Sequence, residues 1–332
     1  MTPISPPDPD PLAAPSVSVV VCAYTMVRWQ LLTRALESVR AQTRPAHELV
    51  LVVDHCPELL DRATELGPGV RVVVNGGRRG LSDARNSGVA AASGDVVAFL
   101  DDDAAADPDW LRRLVEPYAD PRVVGVGGRV VAEWERRRPP WFPPEFGWVV
   151  GCSYVGQPVG TAPVRNPIGA NMSFRRDALV AVGGFSVAVG RVGARPTGCE
   201  ETEVSIRLAG SDPARRIVLE PTAVVHHHVP AERGEWGYFW RRCWAEGMSK
   251  ASVSSLTGIP LGSERSYVLR TLPGGVVRGV GDALSGRAPG GAARALAIGA
   301  GLAVTTSGYL VGRAGRAGRT HLAKTIHVGE SA

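Results

Sequence analysis

The 332-residue sequence lacks the marks of several protein classes. Its five cysteines, Cys22, Cys56, Cys152, Cys199 and Cys243, are odd in number, widely spaced and without a C-x-x-C pair, which argues against a disulfide framework and a zinc ribbon. The opening stretch MTPISPPDPDPLAAP has no basic region followed by an apolar one, so a secretory leader is not expected and a reduced, cytosolic protein is. No G-x-G-x-x-G follows the first apolar run and no G-x-x-x-x-G-K-[ST] occurs, which excludes two common ways of cradling phosphate. GVGGRV (125–130) has glycines without that context and reads as a turn and strand start. A helix-turn-helix or an aromatic-basic platform for nucleic acid is also missing. Acids are scarce near the end: after Glu264 only Asp282 and Glu330 accompany many arginines, although the whole chain carries only +5 from 37 basic and 32 acidic residues.

What is present is a regular alternation. SVSVVVCAY (16–24), HELVLVVDHC (47–56), GVRVVVNGG (69–77) and DVVAFLDDD (95–103) read as strands buried on both faces. Between them WQLLTRALESVRAQ (29–42), ELLDRATEL (58–66) and LSDARNSGVAAAS (81–93) read as helices. Such a βαβ series predicts a parallel sheet with helices on its faces. Ligands of such sheets sit beyond the carboxyl ends of the strands. Tyr24, Asp54, Asn75 to Gly80 and Asp101 to Asp103 all fall there.

Further on, 134–156 clusters Trp134, Trp141, Phe142, Phe146 and Trp148 with prolines and reads as irregular or β-rich. A strand and a helix ending at Gly183-Gly184 are expected in 166–185, an acidic-headed helix in 198–210, two short strands in 215–230 and a helix in 236–253. The uncharged stretch 295–312, flanked by Arg294 and Arg313, has two readings: an interfacial helix on acidic lipid, or an ordinary packed helix.

Three adjacent aspartates repel one another and raise each other's pKa unless a positive charge answers them, and a divalent metal is the expected answer. An aspartate nucleophile for phosphoryl transfer would be needed at the end of the first strand, where the chain has Cys22-Ala23-Tyr24. The stretches SVVVCAYT, GLSDARNSGVAAASGDVVAFLDDDA, IGANMSFRRDALVAVGGF, CEETEVSIRL and VVHHHVP, taken in this order over roughly residues 16–250, resemble the motifs of family 2 glycosyltransferases of the GT-A fold. PPWFPPEFGWVVGCSYVG and YFWRRCWAEGMSKA are similar, less closely, to a bacterial and archaeal subgroup that glycosylates lipid-linked or polymer acceptors.

The resemblance implies a mostly parallel Rossmann-like α/β sheet flanked by helices, with a helical C-terminal extension. It implies an inverting hexosyl transfer from a nucleotide-diphosphate sugar to a hydroxyl acceptor, lipid-linked or a cell-surface glycan precursor, with Mg²⁺ or Mn²⁺. A non-catalytic nucleotide-sugar-binding scaffold is the alternative. Asp103 is the implied metal ligand; Asp101 would reach the ribose or a metal-bound water, and Asp102, alternating to the other face, would cap the loop. Asp54 would meet the nucleobase in a pocket lined by Ala23 and Tyr24, with Gly80 in the adjoining loop. Arg85 would meet the diphosphate or base, unless it is a helix-surface residue paired with a nearby acid. His227, from the triplet His226–His228, would be a further ligand or phosphate contact. Glu200-Glu201 matches the family's E-D pair with Glu201 at the base position, a departure of one methylene that leaves the choice between the two open. The chain then divides into a disordered tail (1–15), a nucleotide-sugar half (16–125), an acceptor and catalytic half (126–230) and a basic helical extension (231–332). Peripheral attachment to the inner face of an anionic membrane is the expectation for that extension, and nucleic acid is not a partner.

Overall fold

The structure, a computed structural model, describes residues 14–190, 198–257, 265–286 and 288–329, with side chains to residue 315. The expected disordered tail lies almost wholly outside the described residues. Strand β1 (Val17–Ala23) runs parallel between β2 (Glu48–Val53) and β4 (Val96–Asp101), and β3 (Arg71–Val74) flanks β2. The valine and leucine runs are buried on both faces, as a sheet covered on two sides requires. Helix α1 (Trp29–Arg40) lays Leu32, Ala35, Leu36 and Val39 on one face, and α2 (Pro57–Ala63) and α3 (Leu81–Ala91) complete the crossovers. A Cβ at Gly88 would collide with Val20, so this glycine lets α3 lie close on the sheet. After β4 come β5 (Ala104–Ala106) and the short α4 (Trp110–Val115).

The second half adds β6 (Val123–Trp134), β7 (Ala162–Val164), β8 (Asn171–Arg175), α5 (Arg176–Ala181), α6 (Glu200–Gly210) and β9 (Arg216–Val229). The sheet order is β3-β2-β1-β4-β8-β6-β9-β5, with β7 also pairing with β9. Strand β8 is antiparallel to both β4 and β6, so the sheet is parallel in its N-terminal part and mixed beyond. Two sequence readings change. GVGGRV lies inside β6, not at a turn: a Cβ at Gly125 would meet Ile217 and Phe174, and one at Gly128 would meet Ala223 and Asn171, so only bare backbone fits between the neighbours. Residues 216–229 form one strand, not two, because β9 pairs with β6 along its length and absorbs Pro221 in a register shift between Glu220 and Val224. Buried Asn171 bridges that irregularity, its Nδ2 donating to Arg129 O at 3.0 Å and Ala223 O at 2.9 Å.

Beyond the sheet lie α7 (Trp236–Thr257), α8 (Leu272–Ser285) and α9 (Gly291–Gly329). Helices α7 and α9 cross at Gly247 and Gly308: a Cβ on either would strike the other helix's backbone. Small residues recur four positions on, at Ala251 and Gly312, the spacing that allows close backbone approach. The outward side keeps large apolar groups in solvent, including Leu269, Val277, Leu284, Leu296 and Leu310. Residues 291–315 are long and apolar enough to cross a membrane by length and composition, with a mean hydropathy of 1.5 and 28% of the window buried.

Candidate active site

Asp101 at the end of β4, Leu81 and Arg85 of α3 and His227 of β9 open on one cleft, which the start of α6 and one face of α7 also line. Asp101 is the last residue of β4, while Asp102 and Asp103 lie in the turn that follows. Strand β9 places His227 opposite, with Nε2 3.2 Å from Asp103 Oδ1. Asp101, Asp103 and His227 each turn a ligand atom to within 4.8 Å of the others. Two carboxylates and one imidazole at that spacing fit a divalent cation.

The protein also answers the aspartates with its own charge. Arg28, which ends the short 3-10 helix Met26–Arg28 after β1, sets Nη1 2.8 Å from Asp102 Oδ1 and 3.0 Å from Asp103 Oδ2. Burial works against the charged form of Asp103, yet His227 and Arg28 outweigh it and hold the carboxyl well below the usual range. Burial likewise opposes the His227 imidazolium, but the facing Asp103 raises it to about 10. Asp102 goes the other way: burial and the Asp103 charge raise it, and its Oδ2 is buried without a hydrogen-bond partner. The expectation that Asp102 alternates to the opposite face fails because β4 ends at Asp101; the turn carries Asp102 to the same arginine as Asp103.

Arg85 is not a helix-surface residue. It leaves α3 fully buried, with Nη1 2.8 Å from Glu200 Oε1 and Nη2 3.5 Å from Asp101 Oδ1. Its guanidinium lies 5.5 Å from the centre of the Phe185 ring and 5.8 Å from that of Phe99. Glu200 is thereby committed to an ion pair through one oxygen, while Oε2 is buried without a partner. Glu201, next on the first turn of α6, keeps part of its surface in the cleft. Burial and the adjacent Glu200 charge push it up to about 8, the range of a group that accepts a proton near neutrality.

At the β2 end, Asp54 is buried and shapes its own loop. Its Oδ1 accepts from Asn75 Nδ2 at 2.7 Å and is 2.8 Å from His55 Nδ1, and its Oδ2 accepts from Gly80 N at 2.9 Å. Gly80 starts α3 at φ 143°, a conformation that favours glycine. Ala23 is buried and Tyr24 half exposed, its ring 5.8 Å from the Arg28 guanidinium. Sequence reasoning missed Arg28, which carries no local pattern, and the inner face of α7, where Arg242, Glu246 and Lys250 line the cleft. The four-residue spacing of that trio was the available signal.

Comparison with known proteins fits this geometry. The glycosyl transferase family 2 pattern matches residues 18–183. A glucosyl-dolichyl phosphate glucuronosyltransferase of Haloferax volcanii is 40% identical over 244 residues, 72% of this chain and 78% of that one. The succinoglycan biosynthesis protein ExoM of Rhizobium meliloti is 28% identical over 70% of this chain and 73% of its own. Among solved structures, the mannosyltransferase PcManGT of Pyrobaculum calidifontis, in complex with GDP-Man and Mn²⁺, aligns over 93% of this chain and 89% of its own, with TM-score 0.55 and 24% identity. At that identity the likeness speaks for the fold, which is GT-A. The chain belongs to glycosyl transferase family 2. It is a glycosyltransferase.

The buried ion pair yields a stability test. Arg85→Met should strand Glu200 as an uncompensated buried charge and lower the unfolding free energy by about 3–5 kcal/mol. Adding Glu200→Gln should restore part of it, which urea unfolding of both variants and the double variant would show. Strict additivity of the two changes would refute the coupling.

Proposed function

We propose that this glycosyltransferase moves a sugar, with inversion, from a nucleoside-diphosphate donor to a hydroxyl of a lipid-linked acceptor. The observation that carries the reading is the placement of Glu201: in the cleft, beside the Arg85–Glu200 pair, and within the same cavity as Asp101 and His227. The relative whose printed name includes glucosyl-dolichyl phosphate supports the lipid-linked acceptor. In this reading residues 16–125 hold the donor, 126–230 carry the base and part of the acceptor site, and the basic extension 231–332 adds to that site from α7.

Asp101, Asp103 and His227 would hold the divalent ion, and the imidazole nitrogen among the ligands favours Mn²⁺ over Mg²⁺. Such an ion supplies positive charge to the departing diphosphate. Ala23, Tyr24 and the loop that Asp54 and Gly80 organise would receive the base and ribose. Arg85 fixes Glu200 and keeps a second positive charge next to Asp101. Asp102 holds Arg28 in place. Glu201 takes the proton of the acceptor hydroxyl as that oxygen approaches the anomeric carbon from the side opposite the leaving group. The exposed apolar side of α8 and α9 would rest on a membrane, with the arginines of this basic extension answering anionic lipid.

Measurements on the base, the metal and the membrane contact bear on this. Glu201→Gln should slow turnover about 10²-fold or more while donor binding survives, and Glu200→Gln should do less. Because only ionised Glu201 can accept a proton, kcat/KM of the parent enzyme should rise with pH and level off above about 8. If the two variants exchange severity, Glu200 is the base. Excess EDTA should abolish transfer, and Asp103→Asn should weaken Mn²⁺ binding in calorimetry; full activity in EDTA would end the metal reading. Co-sedimentation with anionic vesicles should fall as salt shortens the Debye length from about 10 Å at 0.1 M to about 3 Å at 1 M. Binding indifferent to lipid charge would remove the membrane contact.

A further inference from the structure

The cleft does not end at Glu201. Its volume of about 400 Å³ runs on to the inner face of α7. There Arg242, Glu246 and Lys250 occupy successive turns of one helix face. Glu246 holds the two cations side by side, its Oε2 3.4 Å from Arg242 Nη2 and its Oε1 3.7 Å from Lys250 Nζ. Cys199 Sγ reaches Glu246 Oε1 at 3.8 Å, tying this trio to the start of α6. Arg242, Lys250 and Glu201 line the same cleft, and Arg242 and Glu201 are near enough to act on each other electrostatically.

Facing the cations is an aromatic wall. Lys250 Nζ lies 5.7 Å from the centre of the Trp148 ring. Trp148 Nε1 donates to the Tyr267 hydroxyl at 3.1 Å, and that hydroxyl donates to Glu145 O at 2.7 Å. Tyr154 meets Tyr267 edge to face at 5.5 Å. Two residues past Tyr267, in the helical turn that leads into α8, Leu269 is 71% exposed. A cation pair beside an aromatic wall that leads to an apolar surface suits a ligand with an anionic head and a long apolar tail. A neutral sugar would leave the cation pair unanswered, and inorganic phosphate would use only that pair.

Resting on the acceptor reading above, we propose that Arg242 and Lys250 bind the phosphate of the acceptor, and that Trp148, Tyr154 and Tyr267 receive the first carbons of its apolar alcohol. The acceptor is then a sugar joined through phosphate to a lipid alcohol. With the phosphate at Arg242, the sugar spans the short gap to Glu201, where its hydroxyl gives up the proton. The acceptor phosphate then has cations of its own, distinct from the Arg28 and Arg85 that answer the aspartates.

Farnesyl phosphate and farnesol, which share the apolar part and differ in charge, serve as probes, with binding to the full chain measured by calorimetry in excess EDTA. Farnesyl phosphate should bind without metal, and farnesol at least about tenfold more weakly. Lys250→Gln, at a partly exposed position, should weaken farnesyl phosphate by about tenfold, the usual scale for losing one charged partner. Lys250→Arg should restore it, and neither variant should alter the affinity for a nucleoside diphosphate with Mn²⁺. Equal binding of both probes, an unaffected Lys250→Gln, or displacement of farnesyl phosphate by the nucleoside diphosphate would overturn the proposal. A parent enzyme that binds farnesyl phosphate but no nucleoside diphosphate would instead strike the donor-site reading.

Discussion

The constraint on which the rest depends is the gathering of Asp101, Asp102, Asp103, Glu200 and Glu201 at one edge of a sheet, where they cannot all stay charged without opposing charge. The sequence suggests that a metal answers them; the structure adds that the chain supplies part of the answer itself. Arg28 takes Asp102 and Asp103, His227 takes Asp103, and Arg85 takes Glu200 and Asp101. Arg85 matters most to the architecture, because its partners come from β4 and from α6, about a hundred residues apart. A buried ion pair adds little net stability against a packed apolar alternative, yet leaving either partner alone is costly. The pair therefore fixes how the end of β4 and the start of α6 face each other. In the proposed metal site a proton on His227 Nε2 would have to leave before that nitrogen could act as a ligand, so binding there would strengthen as pH rises.

The N-terminal strands and crossovers were legible because each strand is a continuous β-branched run buried on both faces, a signal that needs no partner to be read. The site was legible to the extent that it sits at strand ends. What escaped depends on neighbours distant in sequence. Glycines in β6 look like a turn until Ile217, Phe174 and Asn171 are seen to occupy the space a side chain would need. Pro221 looks like a break until β6 carries the pairing past it. Asp102 was assigned a face by strand alternation, and the strand stops one residue too soon for that rule to apply. Arg28 and Asn171 are polar residues whose roles exist only through contacts across the fold.

The position of Glu201 follows from how the first turn of α6 is held. Glu200 is drawn toward the sheet by Arg85, while Cys199 is drawn toward α7 by Glu246. Between these two ties Cys199 adopts φ 74°, a left-handed conformation that costs a non-glycine residue roughly 1–2 kcal/mol. The cost is met by contacts on both sides, and its effect is to start the helix within the cleft. Helix α7, which supplies that second tie, itself lies close on α9 where Gly247 leaves room for the facing backbone. Between these ties Glu201 meets the cleft from the first turn of α6, and desolvation there, with the Glu200 charge beside it, is what raises its carboxyl.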